Sequence, residues 1–140
     1  MPSKPRLVPG PPVATAIEFS ARCRITIAED DEEFLFLVRH LISHALPQTC
    51  IDAFSNAEDA LAHILDAGTN ILITDHAMGD MSGAELIRQL RARGFTLPII
   101  MISGNPQAEE EARQAGVTEF LGKDVPLEAI AHHVRRLLPA

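Results

Sequence analysis

The sequence predicts a doubly wound α/β fold built on a five-stranded parallel sheet. Two observations carry this. Five short β-branched or apolar runs alternate strictly with five longer segments of helical period, a pattern that right-handed crossovers turn into parallel strands with helices on both faces. Pro47, Gly68, Gly94 and Gly116 then stand where four of the helical segments should stop, as helix C-termini prefer.

Residues 1–21 lie outside this alternation. They hold five of the ten prolines and show no apolar period, so a flexible Pro-rich N-terminal extension is expected, with the folded domain over 22–140. Arg24–Ala28 reads as the first strand. In Glu32–Leu46, Phe34, Leu37, Leu41 and Ile42 recur at three- and four-residue steps, the stripe of a helix packed on a sheet. Cys50–Phe54 is the second strand and Ala57–Ala67 the second helix. The apolar Ile71–Thr74 is the third strand, followed by the helix Gly83–Arg93. Ile99–Ile102 and Val117–Leu121 complete the sheet, and Gln107–Ala115 and Leu127–Leu138 are the last two helices.

Composition narrows the function classes. The 140 residues carry 19 acidic and 12 basic side chains, a formal charge of −7, which argues against nucleic acid or an anionic membrane as partner. No apolar run approaches the roughly 18 residues of a membrane span, and the early prolines interrupt any secretory signal. Cys23 and Cys50 lack metal-ligand spacing and read as reduced thiols in a cytoplasmic protein. Lys4 and Lys123 are the only lysines, so the folded part has a single ammonium group, Lys123.

Ligands of open α/β sheets bind outside the carboxyl ends of the strands. Glu29, Asp30, Asp31, Glu32 and Glu33 follow the first strand, Asp75 the third, Ser103-Gly104-Asn105 the fourth, and Gly122-Lys123 the fifth. Asp31 to Glu33 suit a helix N-terminus, where the macrodipole favours negative charge. Glu29, Asp30 and Asp75 would converge and repel one another unless a proton or cation intervenes. For oxygen-only ligands that cation is Mg²⁺, with Mn²⁺ able to substitute. Ser103 and Lys123 supply the hydroxyl and ammonium that a phosphoryl group needs, and Asp75 the nucleophile of an aspartyl phosphate.

Four fragments now carry a resemblance: Ile25-Thr26-Ile27-Ala28-Glu29-Asp30-Asp31, Ile71 to Gly83 around Asp75, Pro98 to Gly104, and Phe120-Leu121-Gly122-Lys123. In this order the chain resembles a receiver domain of bacterial two-component response regulators, the CheY-like superfamily, and a stand-alone one. The resemblance implies a flavodoxin-like (βα)5 fold with strand order 2-1-3-4-5. It also implies Asp75 as phosphoacceptor, Glu29, Asp30, Asp75 and the Ala77 backbone carbonyl as metal ligands, Ser103 and Lys123 as phosphate-binding groups, and Phe120 as switch aromatic. Ala77 and Asn105 would tune hydrolysis of the acyl phosphate. The implied partners are a histidine kinase or histidine phosphotransfer protein, and a downstream protein on the surface of the fourth helix, fifth strand and fifth helix. A monomer or weak dimer is expected.

Three positions depart from that family: Phe120 lacks the hydroxyl of a tyrosine, which leaves its rotamer switch intact, and Gly79 and Asp124 stand where proline is usual. Gly79 suggests a more mobile loop. Without proline the Lys123–Asp124 bond is expected to be trans, because cis costs roughly 2.5–4 kcal/mol, and Asp124 could compete for Lys123. Gly79 and Asp124 favour a pseudo-receiver scaffold that works without phosphate; retention of Glu29, Asp30, Asp75, Ser103 and Lys123 opposes it. An aspartyl-phosphate hydrolase would need an acid at Ala77. A flavin site would need a phosphate loop where Glu29-Asp30-Asp31 would repel one. His76 reads as a loop residue, and Glu109-Glu110-Glu111 as a solvated first turn of the fourth helix.

Overall fold

The computed structural model describes residues 23–139. The flexible extension expected over 1–21, and the domain boundary at residue 22, lie outside the described residues. Five strands, β1 (Cys23–Ala28), β2 (Thr49–Phe54), β3 (Ile71–Thr74), β4 (Ile99–Ser103) and β5 (Glu119–Gly122), form one parallel sheet in the order β2-β1-β3-β4-β5. The helices are α1 (Glu32–Ala45), α2 (Ala57–Ala67), α3 (Gly83–Ala92), α4 (Ala108–Ala115) and α5 (Leu127–Leu137). The expected fold class and strand order are those observed.

The three inner strands are mostly apolar and largely buried because both faces are covered. Ile25, Ile27, Ile71, Ile73, Ile100 and Ile102 pack in one cluster with Val38 and Ile42 of α1 and Ile130 and Val134 of α5. Leu72, Ile99 and Met101 join residues of α2, α3 and α4 on the other face. The period of two that separates these sets also aims the residues just beyond the strand ends. Glu29 and Asp75 continue the rows of Ile25–Ile27 and Ile71–Ile73, toward α1.

Register brings the strand ends level. Ala28 pairs with both Phe54 and Thr74, and Ser103 pairs with Gly122. Beyond them the Asp75 amide donates to the Ala28 carbonyl at 2.9 Å, and the Glu29 amide to the Phe54 carbonyl at 3.0 Å. The chain winds to opposite sides from β1 and β3, so the crevice between those two strands is the topological switch point.

One expected boundary and one expected core position shifted. β5 begins at Glu119, two residues after Val117, because Gly116 ends α4 at φ 105° and the Val117 amide still donates to the Ala112 carbonyl at 3.0 Å. On α1 the core positions are Val38 and Ile42, while Leu37 is exposed. Of the expected stripe Phe34, Leu41 and Ile42 do pack on the core, and Val38 takes the place expected of Leu37.

Candidate functional site

Asp31 starts the site by starting α1. Its Oδ1 accepts the amides of Glu33 and Phe34 at 3.1 and 3.2 Å, an N-cap that offsets orphan donors of the first turn. Its own amide donates to Glu29 Oε2 at 3.0 Å. The helix start thus orients the Glu29 carboxylate, which is only 3% exposed.

Glu29, Asp30 and Asp75 each offer a carboxylate oxygen, all within 4.8 Å of one another. Asp75 is 8% exposed, whereas Asp30 faces solvent. Lys123 reaches in from the end of β5: its Nζ lies 3.3 Å from Glu29 and 3.5 Å from Asp75 Oδ2, and 4.7 Å from the centre of the Phe34 ring. Burial pushes the Glu29 carboxyl up to about 7, against the Asp31 amide, with the Asp75 charge adding to the rise and Lys123 opposing it. Burial alone would lower the Lys123 ammonium, but the Glu29 and Asp75 charges hold it above its ordinary value.

This donor set fits a hard divalent cation. The groups are carboxylate oxygens with no nitrogen or sulfur among them, they converge, and the buried member holds its proton unusually tightly because of its burial and the neighbouring Asp75 charge. Mg²⁺ and Mn²⁺ satisfy that chemistry, and Zn²⁺ would prefer other ligands.

Next to the carboxylates an open cleft of about 730 Å³ is lined by Ser103, Gly104, Phe120, Gly122, Lys123 and Asp124, among others. Ser103 is 4% exposed, and its Oγ accepts the Asn105 amide at 3.0 Å. Asn105 Oδ1 in turn accepts the Gln107 amide at 3.0 Å, so this exposed side chain is folded back into the turn before α4. Phe120 is half-buried against the α2–α4 face. Ala77 is exposed in the loop after Asp75. Asp124 is exposed and its carboxylate lies over Gly122; among the described residues Lys123 pairs with Glu29 and Asp75. Gly79 adopts φ +84°, which proline's fixed negative φ forbids, so its loop takes a path a proline could not.

Three contributors escaped the sequence reading. Phe34 was visible only as a core residue, since its place under Lys123 depends on the rotation of α1. Gly83 packs against the Asp75 carbonyl so closely that a Cβ would overlap it; its position at the start of a helix gave no such signal. Glu111 is not simply solvated, for it lies 3.5 Å from both His76 and Arg88.

Among the described residues no helix is long and apolar enough to cross a membrane. The family model for the response regulator receiver domain matches residues 25–135. Among curated relatives, the transcriptional regulatory protein FixJ of Rhizobium meliloti is 35% identical over 79% of this chain and 57% of its own length. The two-component response regulator PhoP of Pseudomonas aeruginosa is 29% identical over 82% of this chain and 51% of its own. The chain thus spans about half the length of these relatives. The crystal structure of a CheY-like receiver domain protein from Methanospirillum hungatei superposes with a TM-score of 0.75, covering 83% of this chain and 93% of that one at 20% identity.

Proposed function

The chain belongs to the response regulator receiver domain family, a family of signalling modules, and on that premise we propose that Asp75 accepts a phosphoryl group from a phosphohistidine. The donor is a histidine kinase or histidine phosphotransfer protein, which implies a cytoplasmic setting. One observation carries this reading: the carboxylate oxygens of Glu29, Asp30 and Asp75 gather within 4.8 Å, with the Lys123 ammonium 3.5 Å from Asp75.

An Asp75 carboxylate oxygen attacks phosphorus as the phosphorus–nitrogen bond of the donor breaks, and the electron pair returns to the donor imidazole, which takes up a proton. Glu29, Asp30, Asp75 and the Ala77 carbonyl would hold Mg²⁺, which neutralises charge on the phosphoryl oxygens when bound. Lys123 moves its partnership from the carboxylates to a phosphoryl oxygen. The Ser103 hydroxyl leaves the Asn105 amide to donate to another, and Phe120 repacks with it to alter the surface of α4, β5 and α5 for a downstream protein. Water attacking the acyl phosphate restores Asp75 and releases inorganic phosphate, at a rate that Ala77 and Asn105 tune by their positions.

Incubation with Mg²⁺ and acetyl phosphate followed by intact mass tests this. A phosphate-sized gain is expected in the wild type and is abolished by Asp75→Ala. Absence of any gain, with acetyl phosphate and with a phosphorylated donor protein, would move the protein to the phosphate-independent scaffold class.

A further inference from the structure

His76 follows Asp75 directly and is held at three points. Its amide donates to Asp75 Oδ1 at 2.7 Å. Its carbonyl accepts the Gly83 amide at 2.7 Å. Its ring Nε2 lies 3.5 Å from Glu111 Oε1 on α4. The other Glu111 oxygen is 3.5 Å from Arg88 of α3, which Glu85 holds at 3.1 Å. The His76 side chain is 18% exposed, and its Nδ1 is buried with no hydrogen-bond partner. With the proton on Nε2, the ring turns its N–H edge toward the Glu111 carboxylate, an electrostatic contact at 3.5 Å, and leaves Nδ1 as a bare acceptor. That is the cheaper group to orphan, since an unpaired buried donor is the rarer and costlier case.

We propose that His76 is a positioning residue for phosphoryl transfer to Asp75, kept in register by Glu111 on α4. The inference rests on Asp75 being the phosphoacceptor. An aspartate carboxylate turns readily about its last torsion. The His76 amide stops that rotation by pinning Oδ1, which leaves Oδ2 on the Lys123 side. The amide can do so only while its own peptide plane is fixed, and Glu111 supplies the anchor on the ring. Orientation of a nucleophile translates into rate. Because the anchor sits on α4, the same contact links that helix to the phosphoacceptor loop, and the coupling acts in both directions.

Full-length Glu111→Ala and Glu111→Gln test this by phosphorylation with acetyl phosphate across a Mg²⁺ titration. Glu111→Ala should lower the rate at saturating Mg²⁺ by up to about fivefold, the size of an exposed charged contact, with the Mg²⁺ half-saturation unchanged. Glu111→Gln keeps an acceptor oxygen and should retain at least half the rate. Equal rates for wild type and Glu111→Ala overturn the proposal. A second measurement is independent of phosphorylation. In metal-free protein the His76 amide proton resonance should move upfield in Glu111→Ala as its bond to Asp75 loosens; an unmoved resonance overturns the proposal. Failure of the wild type to be labelled counts instead against Asp75 as phosphoacceptor, and the amide resonance then decides the positioning role.

Discussion

A Cβ at Gly83 would run into the backbone carbonyl of Asp75 and the methyl group of Met101, although the helical backbone there suits any residue. At Gly79 the situation is reversed: a Cβ would meet open space, but φ is +84°. The two glycines beside Asp75 are therefore required for different reasons, steric at one and conformational at the other. Gly83→Ala should cost about 1–3 kcal/mol, as overpacking does, and should also slow phosphorylation, because the displaced atoms belong to Asp75. Gly79→Ala should cost about 1–2 kcal/mol from its left-handed backbone. Urea denaturation and the acetyl phosphate rate measured on both variants separate the two. An unaltered rate in a destabilised Gly83→Ala would mean that the crowding is absorbed by α3 instead. The convergence of side chains at this scale was legible where a residue's type and its place after a strand coincide, as for Glu29, Asp75 and Lys123. It was not legible where the reason is a close approach between distant segments, as for Gly83.

Between elements, the fork of Arg91 makes a connection that no strand or helix pattern announces. From α3 its Nε donates to the Gly116 carbonyl at 3.0 Å, and its Nη1 to the carbonyls of Phe95 and Leu97 at 2.9 and 2.8 Å. The guanidinium, pulled below its ordinary pKa by burial, thus ties the loop before β4 to the turn before β5. Arg91→Lys keeps the charge but cannot span three carbonyls with one compact ammonium. Leaving these part-buried acceptors unsatisfied costs up to about 1–3 kcal/mol, so both Arg91→Lys and Arg91→Ala should lower the urea midpoint, and a wild-type midpoint in Arg91→Lys would show that one donor suffices. The elements themselves were largely readable, because strands buried on both faces are continuous apolar runs and helix ends carry glycine. Where the reading slipped, local and tertiary demands competed. Val117 is β-branched, yet its amide closes the α4 cap. Leu37 shares its period with the core stripe, yet Val38 occupies the sheet-facing row.

For the molecule as a whole, the carboxylate site sets stability against metal binding, and pH exposes the exchange. Glu29 titrates near 7 in the fold and near 4.5 in an unfolded chain. Between those values the native state holds more protons than the unfolded one, so stability falls as pH rises through that window. The contribution is fully present below about 4.5 and lost above about 7, and is on the order of 3 kcal/mol. Cation binding demands the ionised carboxylate, so it releases a proton and becomes tighter over the same range. In EDTA the urea midpoint should therefore drop between pH 5 and pH 8, at roughly the values bracketing this titration. Saturating Mg²⁺ should flatten or reverse the drop, since a ligand of the native state adds stability by mass action. Glu29→Gln, neutral throughout, should lose most of the slope in EDTA and most of the response to Mg²⁺. A wild-type profile that is level in EDTA would mean that Glu29 is ionised at neutral pH, with Lys123 alone able to compensate its burial; the site would then gain little from a cation.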